Sequence, residues 1–137
     1  MSGIVSRKSR RIQAGVDSGA ALVLAMLAWP FPLARAMLPL PVNILSVLVL
    51  WQLIQVGYCA LAAGVWGRTA GTLVAGISLV AQDGAETTRA DRAKWGALAG
   101  AAALAHVVSP PAEGSPALAE RLTGVRLESL SAAHPDA

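Results

Sequence analysis

Hydrophobic and polar positions along this chain are segregated rather than interleaved. No charged residue occurs from Ser18 to Ala34, and none from Ala36 to Gly67. A bilayer core takes about 20 mostly apolar residues per helix. The first run predicts a helix over 11–29, ended by Pro30 and Pro32, because proline lacks the amide hydrogen and clashes with the preceding turn. The second predicts a helix over 42–66, uncharged throughout, with Gln52 and Gln55 among its few polar residues. Trp29 and Phe31 suit the aqueous edge of a bilayer. A third apolar stretch, 93–108, reads "AKWGALAGAAALAHVV". It is short and alanine-rich, so it spans, lies in the interface, or enters and returns.

Between these stretches the polar character comes back. Over 67–92, glycine, threonine and charge recur together, and "ISLVAQDG" predicts a short strand closed by an Asp-Gly turn. "SPPAEGSP" breaks any helix, and "ALAERLTGVRLE" predicts a last helical turn followed by a strand. The expected architecture is an all-α membrane protein with two transmembrane helices, a third short helix that is spanning or re-entrant, and a small cytoplasmic strand element. Its parts are a basic arm over 1–10, a membrane domain over 11–128 containing the extramembrane element 67–92, and a flexible tail over 129–137.

Composition sharpens this reading. Apolar residues make up 55% of the 137 positions and charged residues 14%, against about 25% charged in an ordinary soluble domain. The single cysteine, Cys59, cannot form an intramolecular disulfide, and no zinc-ligand spacing occurs. Basic residues cluster at segment ends, with no basic stripe of interleaved aromatics, which argues against nucleic acid as a partner. Arg7, Lys8, Arg10 and Arg11 precede the first helix, Arg35 alone lies in the 30–41 link, and Arg68, Arg89, Arg92 and Lys94 follow the second. The positive-inside rule then puts the N-terminus and the 67–92 section in the cytoplasm of a multi-pass cell-membrane protein. "RKSRR" before an apolar run and "ARA" at 34–36 imitate a cleavable signal, and "SRRIQ" imitates a twin-arginine signal. Asp17, Pro30 and Pro32 oppose cleavage, which would leave Met37 at the N-terminus.

The polar residues inside these runs are the candidates for chemistry. Asp17 sits at the mouth of the first run, seven residues after Arg10. At about 100° per residue the two share a helix face, and at about 1.5 Å per residue they lie roughly 10.5 Å apart along the axis. Direct contact is therefore ruled out without bending. Gln13 could bridge them, but the stronger expectation is that Asp17 meets a cation from elsewhere, such as Arg68 or Arg126, or accepts from Gln52 or Gln55. Gln52 and Gln55 are one turn apart and should point at another helix. Gly15 and Gly19, Gly67 and Gly71, and Gly96 and Gly100 are each four apart, a spacing that lets helices approach. Gly15 and Gly19 lie about 200° from Asp17, on a different face. His106 is a weak ligand candidate, and His134 lies in the tail.

Three stretches together resemble the RDD family of small membrane proteins. "RRIQAGVDSGA" resembles its opening, with an arginine at the start of the first helix and an aspartate within it. "GRTAGTLVAGISLVAQDG" is similar to the element after its second helix, and "ERLTGVRLE" to its closing element. Ala70 stands where the family often has proline, Thr72 where it often has lysine, and Glu120 where it has the closing aspartate. The resemblance implies a small helical membrane domain, with transport suggested as the family's role. If "GISLV" and "GVRLE" pair as strands, the 93–108 segment must enter and return. Two arginines against four acids after Ser109 argue the other way, for a tail outside.

Two functions follow. The first is an accessory or assembly role, in which the helices pack with another membrane protein or a second copy and Arg10, Asp17 and Glu120 hold the cytoplasmic element. The second is a subunit of an oligomeric cation or proton transporter that uses Asp17 beside Gln52 and Gln55. No nucleophile–base pair, phosphate loop or metal spacing occurs, so neither an enzyme nor a cofactor is expected.

Overall fold

The computed structural model describes residues 4–28, 39–83 and 85–130. Trp29, Pro30, Phe31, Pro32, Arg35, Met37, Gly84 and the 131–137 tail, each assigned a role from sequence, lie outside them. Five helices and a two-stranded sheet occur among the described residues. In chain order they are α1 (Arg7–Ala28), α2 (Leu40–Trp66), α3 (Ala70–Val74), β1 (Ile77–Ala81), α4 (Arg89–Val108), α5 (Leu118–Thr123) and β2 (Val125–Ser129).

Two of these helices are long and apolar enough to cross a membrane, α1 with 22 residues and α2 with 27. At about 1.5 Å per residue they extend roughly 33 and 40 Å, against a hydrocarbon core of about 30 Å. α1 begins at Arg7, so the last four residues of the expected basic arm are helical. α2 closes on Gly67, whose φ of 71° gives the left-handed turn that ends many helices, and its N–H donates to the Ala63 carbonyl.

The sequence reading missed α3. Thr69 and Thr72 cap it reciprocally: the Thr69 hydroxyl accepts from the Thr72 N–H at 3.2 Å, and the Thr72 hydroxyl accepts from the Thr69 N–H at 2.8 Å. This is a capping box with threonine in the place usually taken by glutamate. α4 starts four residues before the expected Ala93, because the Thr88 hydroxyl accepts from the Asp91 N–H at 3.1 Å and Asp91 complements the positive end of the helix.

α2 and α4 pack antiparallel. Gly64 lies against Ala93, Gly96 against the backbone of Cys59 and Ala60, and Gly100 against the backbone of Gln55 and Val56. Gly96 and Gly100 therefore act as expected: a Cβ at Gly96 would collide with the Cys59 carbonyl. A Cβ added at Gly15 or Gly19 would meet nothing within 4 Å, so neither glycine is needed for close approach of another described element.

β1 and β2 pair antiparallel, with Ile77 opposite Ser129 and Ala81 opposite Val125. β2 runs to Ser129, and the Leu130 N–H donates to Gly76, so ordered structure extends two residues into the expected tail. Ile77, Val125 and Leu127 of the sheet bury against Trp95 of α4, Ala63 of α2, Ala119 of α5 and Val5 ahead of α1. The apolar core thus lies at the end of the molecule where α2 finishes and α4 begins.

A polar stripe on the first helix as candidate functional site

The buried face of α1 runs Arg10, Gln13, Ala14, Asp17, Ser18, Ala21 and Ala25. These positions recur at three- and four-residue steps, as one helical face requires. The stripe is unusual in being polar along its first half. Arg10, Asp17 and Ser18 each meet a different element.

Arg10 meets Glu120 of α5. Its Nη1 donates to Oε1 at 2.9 Å and its Nη2 to Oε2 at 3.3 Å, a two-pronged guanidinium–carboxylate pair with both side chains buried. Nη2 also reaches the Ser115 carbonyl at 3.5 Å. Glu120 has a second duty, since its Oε2 accepts from the Ala117 N–H at 2.8 Å and so caps the start of α5. Two charges removed from water need good geometry and further hydrogen bonds to offset their desolvation. Glu120 has both, whereas the Nε of Arg10 is buried without a partner.

Asp17 meets no cation, which corrects the expected pairing with Arg68 or Arg126. Its Oδ2 accepts from the Thr69 hydroxyl at 2.7 Å and its Oδ1 from the Gly71 N–H at 2.8 Å. The carboxylate is 3% exposed and sits on the first turn of α3, where free N–H groups favour an anion. The approach is close enough to require glycine at 71: a Cβ there would lie 2.6 Å from Oδ2 of Asp17 and collide with the Gln13 carbonyl. Tyr58 supports the same turn from α2, its hydroxyl accepting from the Ala70 N–H at 2.8 Å.

The expected donors to Asp17 are used elsewhere. Gln55 is fully buried and donates through Nε2 to the Ser18 hydroxyl at 2.8 Å, one residue from Asp17. Gln52 points at α4, its Nε2 reaching the Gly100 carbonyl at 3.5 Å. Both glutamines therefore face other helices, but not the same one. Trp51 Nε1 donates to the Ser18 carbonyl at 3.1 Å, an anchor that sequence reasoning missed. The Oε1 of Gln55 is buried without a partner. Arg126 pairs with Glu128 at 3.2 Å on the sheet, and Arg68 is exposed. His106 is half-buried on α4, and among the described residues no group of three or more His, Cys, Asp or Glu is placed to hold a metal.

Chemically, this arrangement is a fastener. One helix carries a cation that grips α5 and an anion that grips α3, with a hydroxyl between them and α2. The result is a small, mostly helical protein with two membrane-length helices and a two-stranded cap. No protein-family model, curated protein or solved structure matches the chain.

Proposed function

We propose that this chain is a small integral membrane protein of RDD type with an accessory or assembly role, in which α1 and α2 cross the bilayer and the cap rests on its cytoplasmic face. The observation that carries the membrane part is the far half of α2. None of its residues from Leu40 to Ile54 is buried; Leu45 is 62% exposed and Leu53 65%. A largely apolar helical stretch that its own chain leaves without a single buried residue calls for lipid or another helix.

Support for the RDD reading comes from the meeting of the three resembling stretches. The first touches the second through Asp17 and Gly71, and the third through Arg10 and Glu120. The second and third pair as β1 and β2. That pairing also supports re-entry of α4. Its first residue offers its carbonyl beside Gly64, near the end of α2, while Val108 at its last turn accepts from Arg11 at the start of α1. Both of its ends then belong to the cytoplasmic side, and so does the chain that follows.

The accessory role is favoured over transport because both oxygens of Asp17 already hold fixed protein donors. The test is Asp17→Asn in the full chain, reconstituted in vesicles. Loss of a hydrogen-bonded charge of this kind costs roughly 1.5–3 kcal/mol, so the variant should accumulate less and melt earlier in detergent, with ion flux at the background of empty vesicles for both proteins. Proton or cation flux through the wild type, abolished in a variant that melts normally, would establish transport instead.

A further inference from the structure

A shallow apolar groove runs between α2 and α4 on the side away from α1. It is lined by Gly57, Ala60, Leu61, Gly64 and Val65 of α2 and by Arg89, Ala90 and Ala93 of α4. Gly57, Ala60 and Gly64 stand at three- and four-residue steps, so these small residues line one face of α2, with Leu61 and Val65 beside them. The trough is open at Gly57, where an added Cβ would meet nothing within 4 Å.

Charge changes abruptly at one end. Arg89 closes the groove beside Gly64, is exposed, and has neither an ion pair nor a side-chain hydrogen bond among the described residues. Arg68 is likewise exposed and unpaired just beyond Trp66, itself 66% exposed. Arg92 is committed elsewhere, its Nη1 donating to the backbone and hydroxyl of Thr87 at 3.2 Å. An apolar trough that ends in a free guanidinium, with an exposed indole next along α2 at Trp66, has the polarity of a single phospholipid. The trough takes an acyl chain, the guanidinium takes the phosphate, and the tryptophan sits at headgroup level.

We propose that this groove binds an anionic phospholipid, with its phosphate on Arg89 and one acyl chain along Gly57–Gly64. The proposal rests on the membrane reading above. A zwitterionic lipid offers the same chain but a weaker net attraction, so the preference should be for negative headgroups.

The test uses the full chain in mild detergent, titrated with phosphatidylglycerol, phosphatidylcholine or chain-free glycerol phosphate, with bound lipid counted by native mass spectrometry. Phosphatidylglycerol should bind about fivefold more tightly than phosphatidylcholine, the gain expected of one basic residue near an anionic headgroup, and glycerol phosphate should not bind. Arg89→Gln should abolish the preference and leave residual binding of both lipids. Gly57→Leu, placed where the fold has room, should lower binding of both. Equal affinity of the wild type for the two lipids would overturn the proposal, as would a preference that survives Arg89→Gln, or tight binding of glycerol phosphate alone. Membrane association of the untreated chain, followed by alkaline extraction, separates the two failures. A membrane-embedded protein with no lipid preference sinks only the groove. A chain that stays soluble without detergent sinks the membrane reading and the groove together.

Discussion

The far half of the helical pair, Ala20–Ala28 and Leu40–Leu53, and the near half, Val5–Gly19 with Gln55–Leu130, are built on opposite rules. In the far half the side chains are mostly apolar and more than half of them are exposed; only Ala21 and Ala25 are buried. In the near half, Arg10, Asp17, Gln55, Thr69, Thr72 and Glu120 are buried polar groups, and the apolar core around Trp95 is made of few large side chains. In water an uncovered aliphatic surface and a polar interior would be the wrong way round. With lipid around the far half, only the near half has to organise itself, and directional bonds fix its geometry where hydrophobic burial is scarce.

Four substitutions probe that contrast, from the largest expected effect to the smallest. Glu120→Ala leaves the Arg10 guanidinium buried without its counter-charge and uncaps α5. Breaking a buried pair in this way costs about 3–5 kcal/mol, so the variant should fail to accumulate in membranes. If its melting temperature in detergent matches the wild type, the near half is not held by that pair.

Leu48→Arg places a cation in the middle of the uncovered half, where Leu48 is 49% exposed. At the centre of a membrane helix arginine costs about 2.5–3.5 kcal/mol on insertion scales, whereas at an exposed site in water it would cost almost nothing. The membrane-integrated fraction of newly made chain should fall sharply. Unchanged integration would remove the reason for separating the two halves.

Gly71→Ala pushes a methyl group into Asp17 and the Gln13 backbone. Overpacking typically costs about 1–3 kcal/mol, to be read as a lowered melting temperature that the open-site change Gly15→Ala does not reproduce. Leu45→Ala should do least. It trims a side chain that touches little of its own chain, so its effect on the isolated monomer in detergent should stay within about 0.5 kcal/mol. A larger loss would mean that this face packs on a second copy, and the oligomeric state of the variant would then report it.

The legible parts of the fold were those written in local pattern. Long uncharged runs marked α1 and α2, and β-branched residues before an Asp-Gly pair marked β1. The small-residue spacing of Gly96 and Gly100 correctly signalled close packing, while the same spacing at Gly15 and Gly19 found no neighbour. Spacing alone carries no information about which face a partner occupies. The members of the polar stripe were visible as misfits in an apolar helix, yet their partners were not. Asp17 was expected to meet Arg68 or Arg126, or to accept from Gln52 or Gln55, and it is held instead by a hydroxyl and a backbone amide. Backbone donors leave no trace in side-chain identity. The one available clue was Thr-x-x-Thr at 69–72, which marks a helix start and hence a set of free N–H groups.

The bond between Arg10 and Glu120 joins positions 110 apart. During synthesis the guanidinium is made 110 residues before its carboxylate, so the first helix carries an unanswered charge until residue 120 has been added. Only then do the second strand and the clasp on α5 form, in one stroke. A chain that stops short of residue 118 has its first four helices and one strand but neither α5 nor the carboxylate that fastens it to α1.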